Sequence, residues 1–245
     1  MQFTPYYRPV AGADTAALFI HGIVGTPAHF RDLLPLIPDN WSIFNLLLDG
    51  HGKNVEDFSR TSMKKWRAQV SAQLEEILQI HQKVLIVAHS MGTLFAIREA
   101  IRYPDRVKGL FLLAVPLTPR VLPRTAMDSV LVALGRAKSA SAREMISDCG
   151  VHLSPNLFQY IGWIPRFWEL LAQCRAVKKL LPQLTVPTLA CQSRVDELVG
   201  PGACKHLKNH PCIHLTILEH SGHFAYRGTD IQRLQQLLQT QIESI

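Results

Sequence analysis

Val84-Leu85-Ile86-Val87-Ala88 is an unbroken apolar run, closed by His89-Ser90-Met91-Gly92 and followed by a stretch with helical character. A strand with one wet face alternates polar and apolar residues, so an unbroken run fits a parallel strand covered on both faces. Parallel neighbours cannot be joined by tight turns, and each needs a long crossover, usually a helix. The rest of the chain supplies both parts. Further strands are predicted at Ala16–Ile20, Ser42–Leu48, Gly109–Val115, Thr188–Cys191 and Ile213–Leu218. Helices are predicted at Met63–Ile80, Thr93–Tyr103, Pro201–Lys208 and Asp230–Ile242, the last with Ile231, Leu234, Leu237, Leu238 and Ile242 at helical spacing. The expectation is an α/β fold with a mostly parallel sheet flanked by helices. A chain of 245 residues, 47% of them hydrophobic, suffices for one such domain.

One region breaks the alternation. Between Leu117 and Ile164 no strand is evident, and Phe158, Tyr160, Trp163, Phe167 and Trp168 then crowd together before and into a helix expected at Pro165–Leu181. Pro165 is tolerated in a first helical turn, while Pro182 and Pro187 end the helix. Residues 117–164 are therefore expected to form a short helical lid inserted into a core made of residues 1–116 and 165–245. Two readings of the aromatic cluster stay open: packing between insertion and sheet, or an apolar wall for substrate built from Phe158, Tyr160, Trp163 and Trp168.

Charge and composition narrow the function. The net charge of +7 is spread over scattered Lys and Arg without aromatic interleaving or a basic tail, so no nucleic-acid partner is expected. The N-terminal residues lack a charged segment followed by an apolar one, and no apolar run reaches the length of a membrane span, about 20 residues. The five cysteines form no metal-ligand spacing and their odd number opposes a complete disulfide set. A cytoplasmic protein with neither metal nor cofactor is the expectation.

The chemistry is carried by the end of the first run. Ser90 stands between strand and helix with small residues, Ala88 and Gly92, two positions away on either side. A sharp strand-to-helix turn brings the flanking backbone together and leaves little room for side chains there. The helix beginning at Met91 aims N–H groups and its positive dipole end at any oxyanion formed beside Ser90. A serine at a helix start also serves as a simple cap, and two downstream segments weigh against that reading. Thr188–Cys191 leads into a loop with Asp196, and Ile213–Leu218 into a loop with His223. The order is Ser, Asp, His, each after a separate parallel strand, whose C-terminal ends gather on one side of a sheet.

Rivals exist for two members. Glu197 neighbours Asp196 but points differently, and the strand ending near Val115 is followed by no carboxylate. His220 competes with His223, which is preferred because Gly222 gives its loop freedom. At Leu18-Phe19-Ile20-His21-Gly22-Ile23 another strand ends in a turn, where the N–H of Ile23 can join that of Met91 as an oxyanion hole. His21 is expected to shape that loop, and Asp49-Gly50-His51-Gly52 reads as a turn with no catalytic role.

With these motifs in place, the chain resembles the small carboxylesterase and monoacylglycerol-lipase branch of the α/β-hydrolases over nearly its whole length. The matching stretches are His21-Gly-Ile-Val-Gly-Thr-Pro, Asp49-Gly-His-Gly, Ala88-His-Ser-Met-Gly-Thr, Asp196-Glu-Leu-Val and His220-Ser-Gly-His-Phe. The resemblance implies Ser90, Asp196 and His223 as catalytic residues and Ile23 and Met91 as oxyanion donors. It implies a small-molecule ester substrate and a sheet whose first family strands are reduced or absent. A monomer or homodimer is expected. Acyl transfer to another acceptor, carbon–carbon bond hydrolysis and ligand binding without catalysis are the alternatives.

Overall fold

A computed structural model describes residues 3–120, 131–132, 136, 146 and 149–245. Seven strands form one sheet in the order β1-β3-β2-β4-β5-β6-β7. They are β1 (Tyr6–Arg8), β2 (Thr15–Ile20), β3 (Ser42–Asn45), β4 (Lys83–His89), β5 (Val107–Leu113), β6 (Thr188–Ser193) and β7 (Ile213–Leu218). All neighbours are parallel except β1, which pairs antiparallel with β3 at the edge.

The unbroken apolar runs have the cause expected of them. In β4, Val84, Ile86 and Ala88 enter one core layer and Leu85 and Val87 the other. In β2, Ala16, Leu18 and Ile20 face the first layer and Ala17 and Phe19 the second. The first layer lies under α1 (Val55–Ser59), α2 (Met63–Ile80), α3 (Met91–Arg102) and α4 (Ile164–Leu180). The second lies under the C-terminal helix α6 (Thr229–Glu243), which buries Leu234, Leu237 and Leu238. A further short helix, α5 (Gly202–Leu207), crosses between β6 and β7.

Helix α2 shows how local sequence sets an element. The Ser62 side chain accepts the Lys65 N–H and caps its start. Met63, Trp66, Val70, Leu74 and Ile77 then fall on one buried face. A fully buried aliphatic such as Leu74 stabilises the fold by about 1.5–3 kcal/mol. In helix α4, Cys174 and Val177 are buried, whereas Phe167 near its start is 42% exposed.

The edge strand β1 escaped the sequence reading because its three residues, Tyr-Tyr-Arg, carry no apolar run. Arg8 anchors it, donating to the Ile37 and Trp41 carbonyls at 3.2 and 3.1 Å and pairing with Asp39 at 3.3 Å. Among the described residues no helix is long and apolar enough to cross a membrane. The parallel arrangement leaves the loops after β2, β4, β6 and β7 at one edge of the sheet. Those loops carry Ile23, Ser90, Asp196 and His223.

Candidate active site

Ser90 has φ +49° and ψ −120°, a backbone conformation that side chains rarely adopt. The surrounding hydrogen bonds hold it there. Its N–H donates to the Leu113 carbonyl at 2.8 Å, and its own carbonyl accepts the Thr93 N–H at 3.0 Å and the Thr93 hydroxyl at 2.6 Å. The need for glycine at position 92 is steric: a Cβ there would stand 2.2 Å from the Ile20 carbonyl oxygen. At Gly22 a Cβ would lie 2.9 Å from Cβ of Ser90, so the loop after β2 passes close over the serine.

His223 Nε2 lies 3.1 Å from Ser90 Oγ, and its Nδ1 lies 2.9 and 3.1 Å from the two carboxylate oxygens of Asp196. All three residues are buried. Asp196 Oδ1 also accepts the N–H groups of Leu198 at 2.8 Å and Val199 at 2.7 Å. Burial alone would raise the Asp196 pKa. The His223 charge, its hydrogen bond and the two backbone donors outweigh that and hold the carboxyl below its usual range. An ionised carboxylate only accepts, so the Nδ1 of His223 carries the proton and Nε2 is left to accept from Ser90. The geometry can therefore withdraw a proton from Oγ and stabilise the resulting imidazolium.

Three supporting residues were not foreseen. Glu197 accepts the backbone N–H of His223 at 2.7 Å, so the rival acid holds the histidine's main chain, not its ring. Asp230, in the first turn of α6, accepts the His220 N–H at 2.8 Å and the Ser221 hydroxyl at 2.7 Å, bracing the same loop. An acidic residue at a helix start is the sequence signal that could have exposed it. His89 donates through Nε2 to the His223 carbonyl at 3.1 Å, and its ring stacks on His29 at 3.8 Å. The rival base His220 is exposed.

Met91 begins α3, where backbone N–H groups lack intrahelical partners. Ile23 is partly buried and packs against the same core layer as Met91 and Tyr160. The four aromatics expected at the substrate wall divide. Trp163 is buried, its ring 4.5 Å from that of Phe58 and its indole N–H donating to the Val55 carbonyl at 3.0 Å. Tyr160 is half-buried beside it, its hydroxyl donating to the Ser154 carbonyl at 3.0 Å. Phe158 and Trp168 stand 82% and 64% exposed. Much of the stretch expected to form the lid, including 121–130 and 137–145, lies outside the described residues. A cleft of about 570 Å³ is lined by Leu47–His51, Lys53, Lys65, Ala68 and Gln69, a lining that includes none of Ser90, Asp196 and His223.

A sheet of this order, with a serine on a strained turn after β4 facing a histidine–aspartate pair, defines an α/β-hydrolase. Residues 16–159 match the family described as alpha/beta hydrolase fold, and the chain belongs to it. It is 24% identical over 206 residues to the thermostable monoacylglycerol lipase of Bacillus sp. (strain H-257), covering 81% of this chain and 76% of that one. Its fold is similar to that of a structure from the work on LipS and LipT, two metagenome-derived lipolytic enzymes (TM-score 0.77, 21% identity, 100% and 98% coverage). It is also similar to the monoacylglycerol lipase of Paleococcus ferrophilus (TM-score 0.70, 15% identity, both chains covered in full). At these identities the two structures speak for the fold.

Proposed function

We propose that this chain is a serine hydrolase that cleaves carboxylic esters, short- to medium-chain acyl esters or monoacylglycerols, through an acyl-enzyme on Ser90. The observation that carries this reading is the hydrogen-bonded line from Ser90 Oγ through His223 to Asp196. The similarity to monoacylglycerol lipases supports the substrate class.

In the proposed cycle His223 takes the Ser90 proton as Oγ attacks the ester carbonyl. The N–H groups of Ile23 and Met91 hold the oxyanion, each contribution worth about 3–4 kcal/mol of barrier. The imidazolium, stabilised by Asp196, protonates the departing alcohol. His223 then activates water, which releases the acid and frees Ser90.

Residues 117–164 act in this reading as a lid, with Phe158, Tyr160 and Trp163 as its aromatic part, and Trp168 follows in α4 as a further substrate-binding aromatic. Exposed Phe158 and Trp168 suit contact with an acyl chain, and buried Trp163 suits a fixed base for them. A reducing, cytoplasmic setting is supported by the odd number of cysteines, which opposes a complete disulfide set.

Ser90→Ala, assayed on p-nitrophenyl esters of increasing chain length and on monoacylglycerols, tests the proposal. Turnover should fall at least a thousandfold, on the order of triad loss, and fluorophosphonate labelling should vanish. Retained hydrolysis in that variant would sink the assignment.

A further inference from the structure

The two peptide groups flanking Ile23 are each tied to an imidazole. The Gly22 carbonyl, which shares its peptide with the Ile23 N–H, accepts from His21 Nδ1 at 2.8 Å and from the Gly25 N–H at 3.1 Å. No peptide in the described chain is cis, so the Ile23 N–H points opposite to that carbonyl. In the next peptide, the Val24 N–H donates to His51 Nε2 at 3.1 Å. Val24 sits at φ +58°, unusual for a β-branched residue, and its carbonyl accepts the Gly150 N–H at 2.6 Å.

Both imidazoles are anchored to Leu48. Its N–H donates to His21 Nε2 at 3.1 Å, which puts the His21 proton on Nδ1, facing the Gly22 carbonyl. Its carbonyl accepts from His51 Nδ1 at 3.2 Å, with the Asp49 carbonyl at 3.3 Å, which leaves His51 Nε2 as the acceptor for Val24. The rings meet edge to face at 4.7 Å, and Phe58 and Trp66 pack against His51 at 5.2 and 5.4 Å. An imidazolium has no lone pair with which to accept, so both arrangements need neutral rings. Burial supplies that condition. It lowers the His51 pKa to about 4 and pushes His21 well below its ordinary value.

We infer that His51, acting with His21, is a positioning residue that fixes the peptides around Ile23 and aims the Ile23 N–H at the oxyanion. This rests on the reading of Ser90 as nucleophile and Ile23 as oxyanion donor. The Asp49-Gly-His-Gly turn thereby acquires a task in catalysis without touching substrate. Donation by His21 to the Gly22 carbonyl also polarises the shared peptide and strengthens its N–H as a donor.

The test compares wild type, His51→Phe and His51→Gln on p-nitrophenyl butyrate. The Gln side chain offers an oxygen to the Val24 N–H, and Phe fills the space without an acceptor. His51→Phe should lower kcat on the order of 10–100-fold, the scale of a donor displaced by a fraction of an ångström to an ångström, with KM changed less than about twofold. Affinity for a trifluoromethyl ketone, which forms an oxyanion on Ser90, should fall in proportion to kcat. His51→Gln should recover most of both. Equal losses in the two variants with unchanged ketone affinity, or a folded His51→Phe with kcat within about threefold of wild type, would overturn the inference. Nitrogen NMR of the wild-type imidazoles gives a reading that needs no variant: Nε2 must be unprotonated on both rings, and an Nε2–H tautomer on either defeats it. If wild type and Ser90→Ala hydrolyse nothing, the assignment of the site fails first. An active wild type with an indifferent His51→Phe defeats the positioning role alone.

Discussion

The Glu197 carboxylate accepts the backbone N–H of His223 at 2.7 Å, while neighbouring Asp196 holds the imidazole of the same residue. Adjacent acids thus grip a single histidine at main chain and ring. Gly222 permits this, since a Cβ there would lie 2.7 Å from Glu197 Oε1. Asp196→Asn should lower kcat by about 10³–10⁴, because the amide favours the wrong imidazole tautomer. Glu197→Gln keeps an acceptor for the N–H and should lose less than about tenfold. Steady-state kinetics on both variants checks the division. Equal losses would refute it.

Gly92→Ala should destabilise the fold. Its Cβ would meet the Ile20 carbonyl oxygen at 2.2 Å and the His21 oxygen at 2.8 Å, both backbone atoms of the β2 end. Separating α3 from β2 should cost at least about 2–3 kcal/mol. Chemical denaturation would show it as a lower midpoint. An unchanged midpoint would mean that the helix moves away freely.

The sequence made the sheet legible where burial was two-sided. Val84–Ala88 has apolar residues facing both layers, so its run was unbroken and its neighbours had to be parallel. The three residues of β1 gave no such signal, since Tyr6 is only partly buried against a core layer and Arg8 hydrogen bonds hold the edge. Ser90, Asp196 and His223 were legible through chain order and strand ends. The tasks of Glu197 and Asp230 were not, because they depend on how the loops after β6 and β7 meet across the sheet edge. Composition likewise could not separate buried Trp163 from exposed Trp168 in one aromatic cluster.

That separation gives opposite expectations for two tryptophans five residues apart in the chain. Trp163→Ala removes the ring against Phe58 and the donor to Val55 and should destabilise the fold by about 3–5 kcal/mol. Trp168→Ala, at an exposed position, should change stability by less than about 0.5 kcal/mol. If Trp168 meets the acyl chain, its loss should raise KM for an octanoyl ester several-fold, on the order of 1 kcal/mol of lost apolar contact, and leave the acetate unaffected. Thermal melts and a chain-length series separate the two effects. A KM change independent of chain length would remove Trp168 from the acyl site.

Buried neutral histidines should make the fold sensitive to mild acid. In the unfolded chain the His51 imidazole takes up a proton as pH falls through 6.5, whereas in the fold burial delays this to about pH 4. Between those values the unfolded state binds more protons, so stability declines as pH falls. The folded pKa is lowered, and the contribution is therefore complete above pH 6.5 and lost toward pH 4. For His51 the full window amounts to about 3 kcal/mol, and burial shifts His21 and His89 in the same direction. The lowered Asp196 acts separately, since its contribution disappears only below the ordinary carboxylate range. Urea midpoints measured at pH 7.5 and pH 5.0 should fall at the lower pH, and His51→Gln should flatten the dependence. Identical midpoints at the two pH values would mean that these imidazoles are not held neutral by the fold.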